Sequence, residues 1–157
     1  MIYLKNLILL TRINKPIGVL LLLWPTLTAL LVAQQGIPEL KIMIIFIIGT
    51  ILMRSAGCIA NDLADRNIDT HVDRTKNRPL AKKEASILEA LSFLFILLTL
   101  SLFLVLQLNS FTIKLSVCAL LSVLIYPFCK RFFALPQLML GISFGFGILM
   151  AFAAIQN

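Results

Sequence analysis

Acidic side chains are scarce in this sequence: seven Asp and Glu among 157 residues, and none beyond Glu89. There is one histidine, His71, so a histidine-built metal centre is excluded. Three cysteines, Cys58, Cys118 and Cys129, fall without ligand-like spacing and read as buried packing thiols. Charged residues make up 13% of the chain, about half the usual share of a soluble protein. Apolar residues make up 60%, with a mean hydropathy of +0.99. A domain this small leaves much of its surface outside, so that apolar excess excludes a soluble globule and requires lipid as its cover. No soluble domain, internal repeat or low-complexity linker is visible. Lys5, Arg12 and Lys15 precede an apolar stretch, but Gly36-Ile37-Pro38 is no small-residue cleavage site. The first apolar segment is therefore expected to be a retained anchor and not a cleaved signal.

What is present is a series of five long apolar segments. They run from about Pro16 to Gln34, Ile42 to Ala60, Ile87 to Leu108, Phe111 to Phe128 and Ala134 to Ile155. Each is near the roughly 20 residues needed to cross the hydrocarbon core, and helix is the expected form because lipid offers backbone groups no partner. Pro16 suits a first helical turn, Pro25 predicts a kink, and Gly36-Ile37-Pro38 predicts a tight turn. The expected fold class is all-α: a polytopic transmembrane bundle of about five spans, forming one domain over 1–157.

The net charge of +7 is arranged for a membrane and not for nucleic acid. Of 14 Lys and Arg, 12 lie at the N-terminus, around the Asn61–Ser86 stretch or at Lys130-Arg131; only Lys41 and Lys114 lie in the alternate loops. The positive-inside rule puts the richer side in the cytoplasm and the C-terminus outside. The expected location is the inner (plasma) membrane of a bacterium or the mitochondrial inner membrane.

The polar stretch beginning at Arg54 reads RSAGCIANDLADRNIDTHVDRTKNRPL. Asn61, Asp65, Asp69 and Asp73 are spaced by four, and residues four apart share a helix face. Like charges so placed repel, which a bound divalent cation would relieve. Oxygen ligands favour a hard ion, and Mg²⁺ typically takes one or two carboxylates plus substrate phosphates. Arg66, Arg74, Lys76 and Arg78 supply donors suited to phosphate oxygens. Carboxylates and arginines together are what a metal–diphosphate site requires. The plainer reading is a solvated loop laced with weak surface pairs. A calcium loop is disfavoured by the absence of the Asp-x-Asp-x-Asp-Gly pattern.

These residues resemble the UbiA family of intramembrane prenyltransferases, whose first aspartate motif has the form N-D-x-x-D-x-x-x-D. Here it reads Asn61-Asp62-Leu-Ala-Asp65-Arg66-Asn-Ile-Asp69, followed by Arg74-Thr75-Lys76-Asn77-Arg78-Pro79-Leu80. KPIGVLLLLWPTLTAL from Lys15, LMRSAGCIANDLADR from Leu52 and YPFCKRFFALPQLMLGISFGFGILMAFAA from Tyr126 are similar to the members that act on 4-hydroxybenzoate. The resemblance implies Mg²⁺-dependent transfer of a prenyl group from a polyprenyl diphosphate to 4-hydroxybenzoate, in ubiquinone biosynthesis. It implies Asn61, Asp65 and Asp69 as metal ligands, with Asp62 lining the same site. It implies Arg66 and Arg78 on the diphosphate or closing the loop over it, Arg131 at the substrate anions, and Arg12 facing the aromatic carboxylate.

Two departures stand out. Lys82-Lys83 occupies the place of a usual Ser-Gly pair, and Asn14 replaces an Asp before the Lys-Pro-Ile-Gly stretch. The family also carries a second aspartate motif within about nine helices. This sequence has about five spans and no Asp beyond Asp73, so it is expected to correspond to the N-terminal half, truncated at its C-terminus. Two other readings follow from the same residues: a non-catalytic half-protein that needs a separately encoded C-terminal half, and a cation transporter using the carboxylates as an ion site.

Overall fold

The structure, a computed structural model, describes residues 2–132 and 135–156, with the side chains of residues 2–5, 7 and 130–132 outside that description. Six helices follow in order: α1 (Ile2–Thr11), α2 (Ile17–Gln34), α3 (Leu40–Asp69), α4 (Ile87–Val105), α5 (Ser110–Phe132) and α6 (Pro136–Gln156). Among the described residues there is no strand. Helices α2 to α6 are each long and apolar enough to span a bilayer, as the five apolar segments predicted. At ten residues, α1 reaches only about 15 Å and cannot cross; the sequence reading did not anticipate it.

Local chemistry explains most boundaries. Pro16 caps α2 and its carbonyl accepts from the Val19 and Leu20 N–H groups. The helix then continues through Pro25 to Gln34. The turn predicted at Gly36 is built one residue earlier: Gln35 takes the left-handed conformation (φ 54°), and Gly36 N–H donates to Leu31 O. A capping box opens α4, in which Ser86 Oγ accepts from Glu89 N–H while Glu89 Oε2 accepts from Ser86 N–H. Asn109 serves two ends at once. Its Oδ1 accepts from Thr112 N–H at the start of α5, and its Nδ2 donates to Ala153 O near the end of α6.

Two small cores hold the bundle. Near one end, Leu10, Ala56, Ile59, Leu80, Ala85, Ala90 and Leu97 join α1, α3, α4 and the 70–86 loop. Near the other, Ala29, Leu30, Phe46 and Ala151 join α2, α3 and α6. Much of the remaining apolar surface points outward, including Trp24, Phe95 and Phe103, which is the expected arrangement where lipid is the solvent. Cys58 is buried as expected, but Cys118 is exposed on α5. There it is one more apolar group on the outward face.

Helix α3 sets the position of the site. Its 30 residues extend about 45 Å, some 15 Å more than the hydrocarbon core is thick. Its last turns therefore stand past the hydrocarbon edge. The polar stretch expected as a loop from Asn61 is helical up to Asp69, and only 70–86 is irregular.

Candidate functional site: the aspartate end of α3

On the extended end of α3, Asp62, Asp65 and Asp69 are buried and Asn61 is half-buried. Successive residues turn by about 100°, so these four share one sector of the helix, with Asn61 and Asp62 at its edges. That sector faces the α1–α2 junction and the 70–86 loop. The fourth member expected in the column, Asp73, falls beyond the end of the helix. Its side chain is 97% exposed and pairs with Lys76 Nζ at 2.7 Å, an ordinary surface pair.

The loop folds back over the sector in a chain of tight turns. His71, Val72, Thr75, Lys76 and Arg78 each donate a backbone N–H to a carbonyl three or four residues earlier. Thr75, which is buried, donates its hydroxyl to the Asp69 carbonyl at 3.2 Å. Buried Leu80 and Ala85 pin the loop to the core, and Asn6 Nδ2 on α1 donates to Glu84 O at 2.8 Å. Lys83 adopts φ 59°, a left-handed conformation that glycine takes at no steric cost. The position of the usual Ser-Gly pair thus keeps a glycine-like backbone while carrying a lysine.

This folding brings Arg78 back onto the helix it follows. Arg78 Nη1 donates to Asp69 Oδ2 at 2.6 Å and lies 3.1 Å from Asp62 Oδ1. Arg12, at φ 56° in the α1–α2 junction, donates through Nη2 to the same Asp62 Oδ1. Arg12, expected opposite an aromatic carboxylate, is thus paired with a carboxylate of the protein.

Arg66 is not brought to the cluster. It donates to the Leu63 carbonyl at 2.9 Å and borders a cleft of about 520 Å³ on the back of α3, lined by Leu63, Leu91, Leu94, Leu124 and Phe128. Arg74 and Lys76 are exposed in the loop. Arg131 belongs to the last turn of α5, and its side chain lies outside the described residues.

Sequence reasoning missed Arg54. It lies on the aspartate side of α3, two turns before Asp62, within the membrane-spanning part of the helix. Its guanidinium lies over Gly18 of α2, where a Cβ would come within 2.7 Å of Nη2. No carboxylate among the described residues pairs with it. The available signal was a lone arginine inside an apolar span, which is costly unless it has a task.

The donor set suits a hard cation: an amide oxygen at Asn61 and carboxylates at Asp65 and Asp69. Among the described residues no three His, Cys, Asp or Glu side chains stand close enough to hold an ion alone. Mg²⁺ does not require that, because it binds through one or two carboxylates with phosphate oxygens completing its shell. The residues fit an ion that arrives with a diphosphate.

Residues 22–157 match the model of the UbiA prenyltransferase family. The chain is 54% identical over 155 residues to 4-hydroxybenzoate octaprenyltransferase of Francisella tularensis subsp. novicida, covering 98% of this chain and 54% of the relative. It is 58% identical over 148 residues to the enzyme of the same name from Psychromonas ingrahamii, covering 94% and 52%. The chain thus spans about half the length of these curated relatives. Among solved structures, it is similar to an apo UbiA homologue from Aeropyrum pernix K1 (TM-score 0.78, 27% identity, 89% of this chain and 51% of that one). It shares its fold with a UbiA homologue from Archaeoglobus fulgidus bound to DMAPP and Mg²⁺ (TM-score 0.82, 17% identity, 97% and 55%).

Proposed function

The chain belongs to the UbiA prenyltransferase family, and from that premise we propose that it carries the diphosphate-binding half of a site transferring a polyprenyl group to 4-hydroxybenzoate. The observation that carries this reading is the buried acidic sector of α3 with Arg12 and Arg78 drawn onto it from two other elements. A solvated loop would leave those groups in water. The chain is a multi-pass membrane protein, and the bacterial plasma membrane is the proposed location.

Asn61, Asp65 and Asp69 would hold Mg²⁺, which when bound offsets the charge of the diphosphate and improves it as a leaving group. Arg78 and Arg12 stand where phosphate oxygens would arrive, and guanidinium groups suit them by geometry and charge. Arg54 lies deeper on the same side of α3 and is the natural partner for the carboxylate of the acceptor. Apolar walls above the site would take the prenyl tail and keep water from the electron-poor allylic carbon. The ring carbon next to the acceptor's hydroxyl would attack that carbon as the carbon–oxygen bond to diphosphate breaks, and the ring would then lose that carbon's proton, which the departed diphosphate can accept. The remaining half of the site is proposed to come from the segment matching the second half of the longer relatives, within one chain or as a separate one.

The test is metal-dependent binding of geranyl diphosphate by the purified chain. Asp65→Asn and Asp69→Asn should each weaken binding about tenfold or more, the scale of one lost charged ligand contact. Glu89→Gln should leave it unchanged, because Glu89 serves the cap of α4 and Gln can fill the same place. Equal losses in all three variants would reduce the effect to general electrostatics and overturn the reading.

A further inference from the structure

We propose that Asp62 is a positioning residue and not a metal ligand: it holds Arg12 and Arg78 in place for the diphosphate. The proposal rests on the functional reading above and assigns separate tasks within one motif.

Asp62 is the most enclosed of the carboxylates, its side chain 1% exposed. The guanidinium side chains on it are more open, at 30% for Arg12 and 20% for Arg78. The carboxylate thus forms the floor and the arginine heads form the surface that an incoming anion meets. One oxygen, Oδ1, takes both arginines. Each guanidinium carries five N–H donors in a planar fork, more than these carboxylates engage, so phosphate can bind without the floor being vacated.

Acting as a metal ligand would require a different arrangement. A dication on Asp62 would sit beside two guanidiniums already drawn onto the same buried carboxylate. Asp65 and Asp69 are placed better, since they lie four apart along the sector; among the described ion pairs Asp69 shares one arginine, Arg78, with Asp62. Asp62 is also where the two arms of the site meet. Arg12 comes from the α1–α2 junction in a backbone conformation that side chains avoid. Arg78 comes from a loop that α1 clamps through Asn6 and Glu84. Among the described ion pairs, Asp62 is the group that both arms touch.

The experiment uses the full chain in detergent with two titrations: geranyl diphosphate at saturating Mg²⁺, and Mg²⁺ at fixed geranyl diphosphate. Asp62→Asn should weaken diphosphate binding about tenfold and leave the Mg²⁺ concentration for half-saturation unchanged. Asp65→Asn should raise that concentration. Asp62→Glu, which keeps the charge, should recover part of the diphosphate affinity. Arg12→Gln should behave like Asp62→Asn, and the double variant should lose little beyond either single one, because the two residues act as a unit.

If Asp62→Asn raises the Mg²⁺ requirement as much as Asp65→Asn, Asp62 is a ligand and the proposal is overturned. If Asp62→Asn does not fold, Arg12→Gln decides, and undiminished diphosphate affinity in that variant sinks the idea. Absence of any Mg²⁺-dependent binding by the parent chain would remove the functional reading, and this assignment with it. A shifted metal requirement in Asp62→Asn alone would remove only the assignment.

Discussion

Arg54 and Arg78 belong to the same charge type and serve the same end of α3, yet their surroundings differ. Arg78 is compensated by two carboxylates. Arg54 sits in a span, laid over the bare backbone of Gly18, and an arginine at the centre of a span costs about 2.5 kcal/mol or more. Removing a cation of that kind should not harm the fold. Arg54→Gln is therefore expected to leave thermal stability unchanged or raised. In membranes where the chain is co-expressed with the complementing half of a relative, it should raise the KM for 4-hydroxybenzoate about tenfold, with a smaller effect on the prenyl diphosphate. The check is a steady-state assay of prenylated product with each substrate varied in turn. An equal rise in both KM values would deny Arg54 a role specific to the acceptor.

Among the elements, α2 and α6 pack closely where Gly147 faces Thr26. A Cβ at Gly147 would lie 2.6 Å from Thr26 Oγ1. The hydroxyl is itself tied to Leu22 O at 2.8 Å, so it has little room to turn away. Small residues at such contacts let transmembrane backbones approach. Gly147→Ala should therefore push the helices apart, at about 1–3 kcal/mol for overpacking. Gly141, on the same helix, has nothing within 4 Å of its would-be Cβ, and Gly141→Ala should be neutral or slightly stabilising. Melting temperatures of the two variants in one detergent provide the comparison. Similar losses in both would show that glycine matters to α6 as a chain and not to this contact.

For the molecule as a whole, the helix ends segregate. The end of α1, the start of α2, the aspartate end of α3 and the 70–86 loop meet through Arg12, Asp62 and Asn6. The α4–α5 junction and the end of α6 meet at the opposite side through Asn109 and Ala153. With 11 basic residues toward the first side, 2 toward the second and Arg54 within a span, the first is expected in the cytoplasm. Reporter fusions after Thr75 and after Asn157 should respond from opposite sides of the membrane. Signals from the same side would contradict five crossings.

The membrane character, the five spans and the acidic motif were legible in the sequence because each depends on local composition: runs of apolar residues near 20 long and carboxylates at helical spacing. Asp65 and Asp69 could be read for the same reason, since one helix carries both, whereas Asp62 lies off the repeat of four and entered through the family resemblance. Spacing also suggested Asp73, and there it misled, because nothing in the repeat of four marks where α3 stops. The existence of α1 was not readable, since it is short and depends on docking against the other helices. Only tertiary structure turned Arg66 to the back of α3 and brought Arg12 and Arg78 together on one oxygen of Asp62. Arg12 and Asp62 are 50 residues apart in the chain, and the pairing of distant charges is set by how helices and loops pack, which no local pattern records.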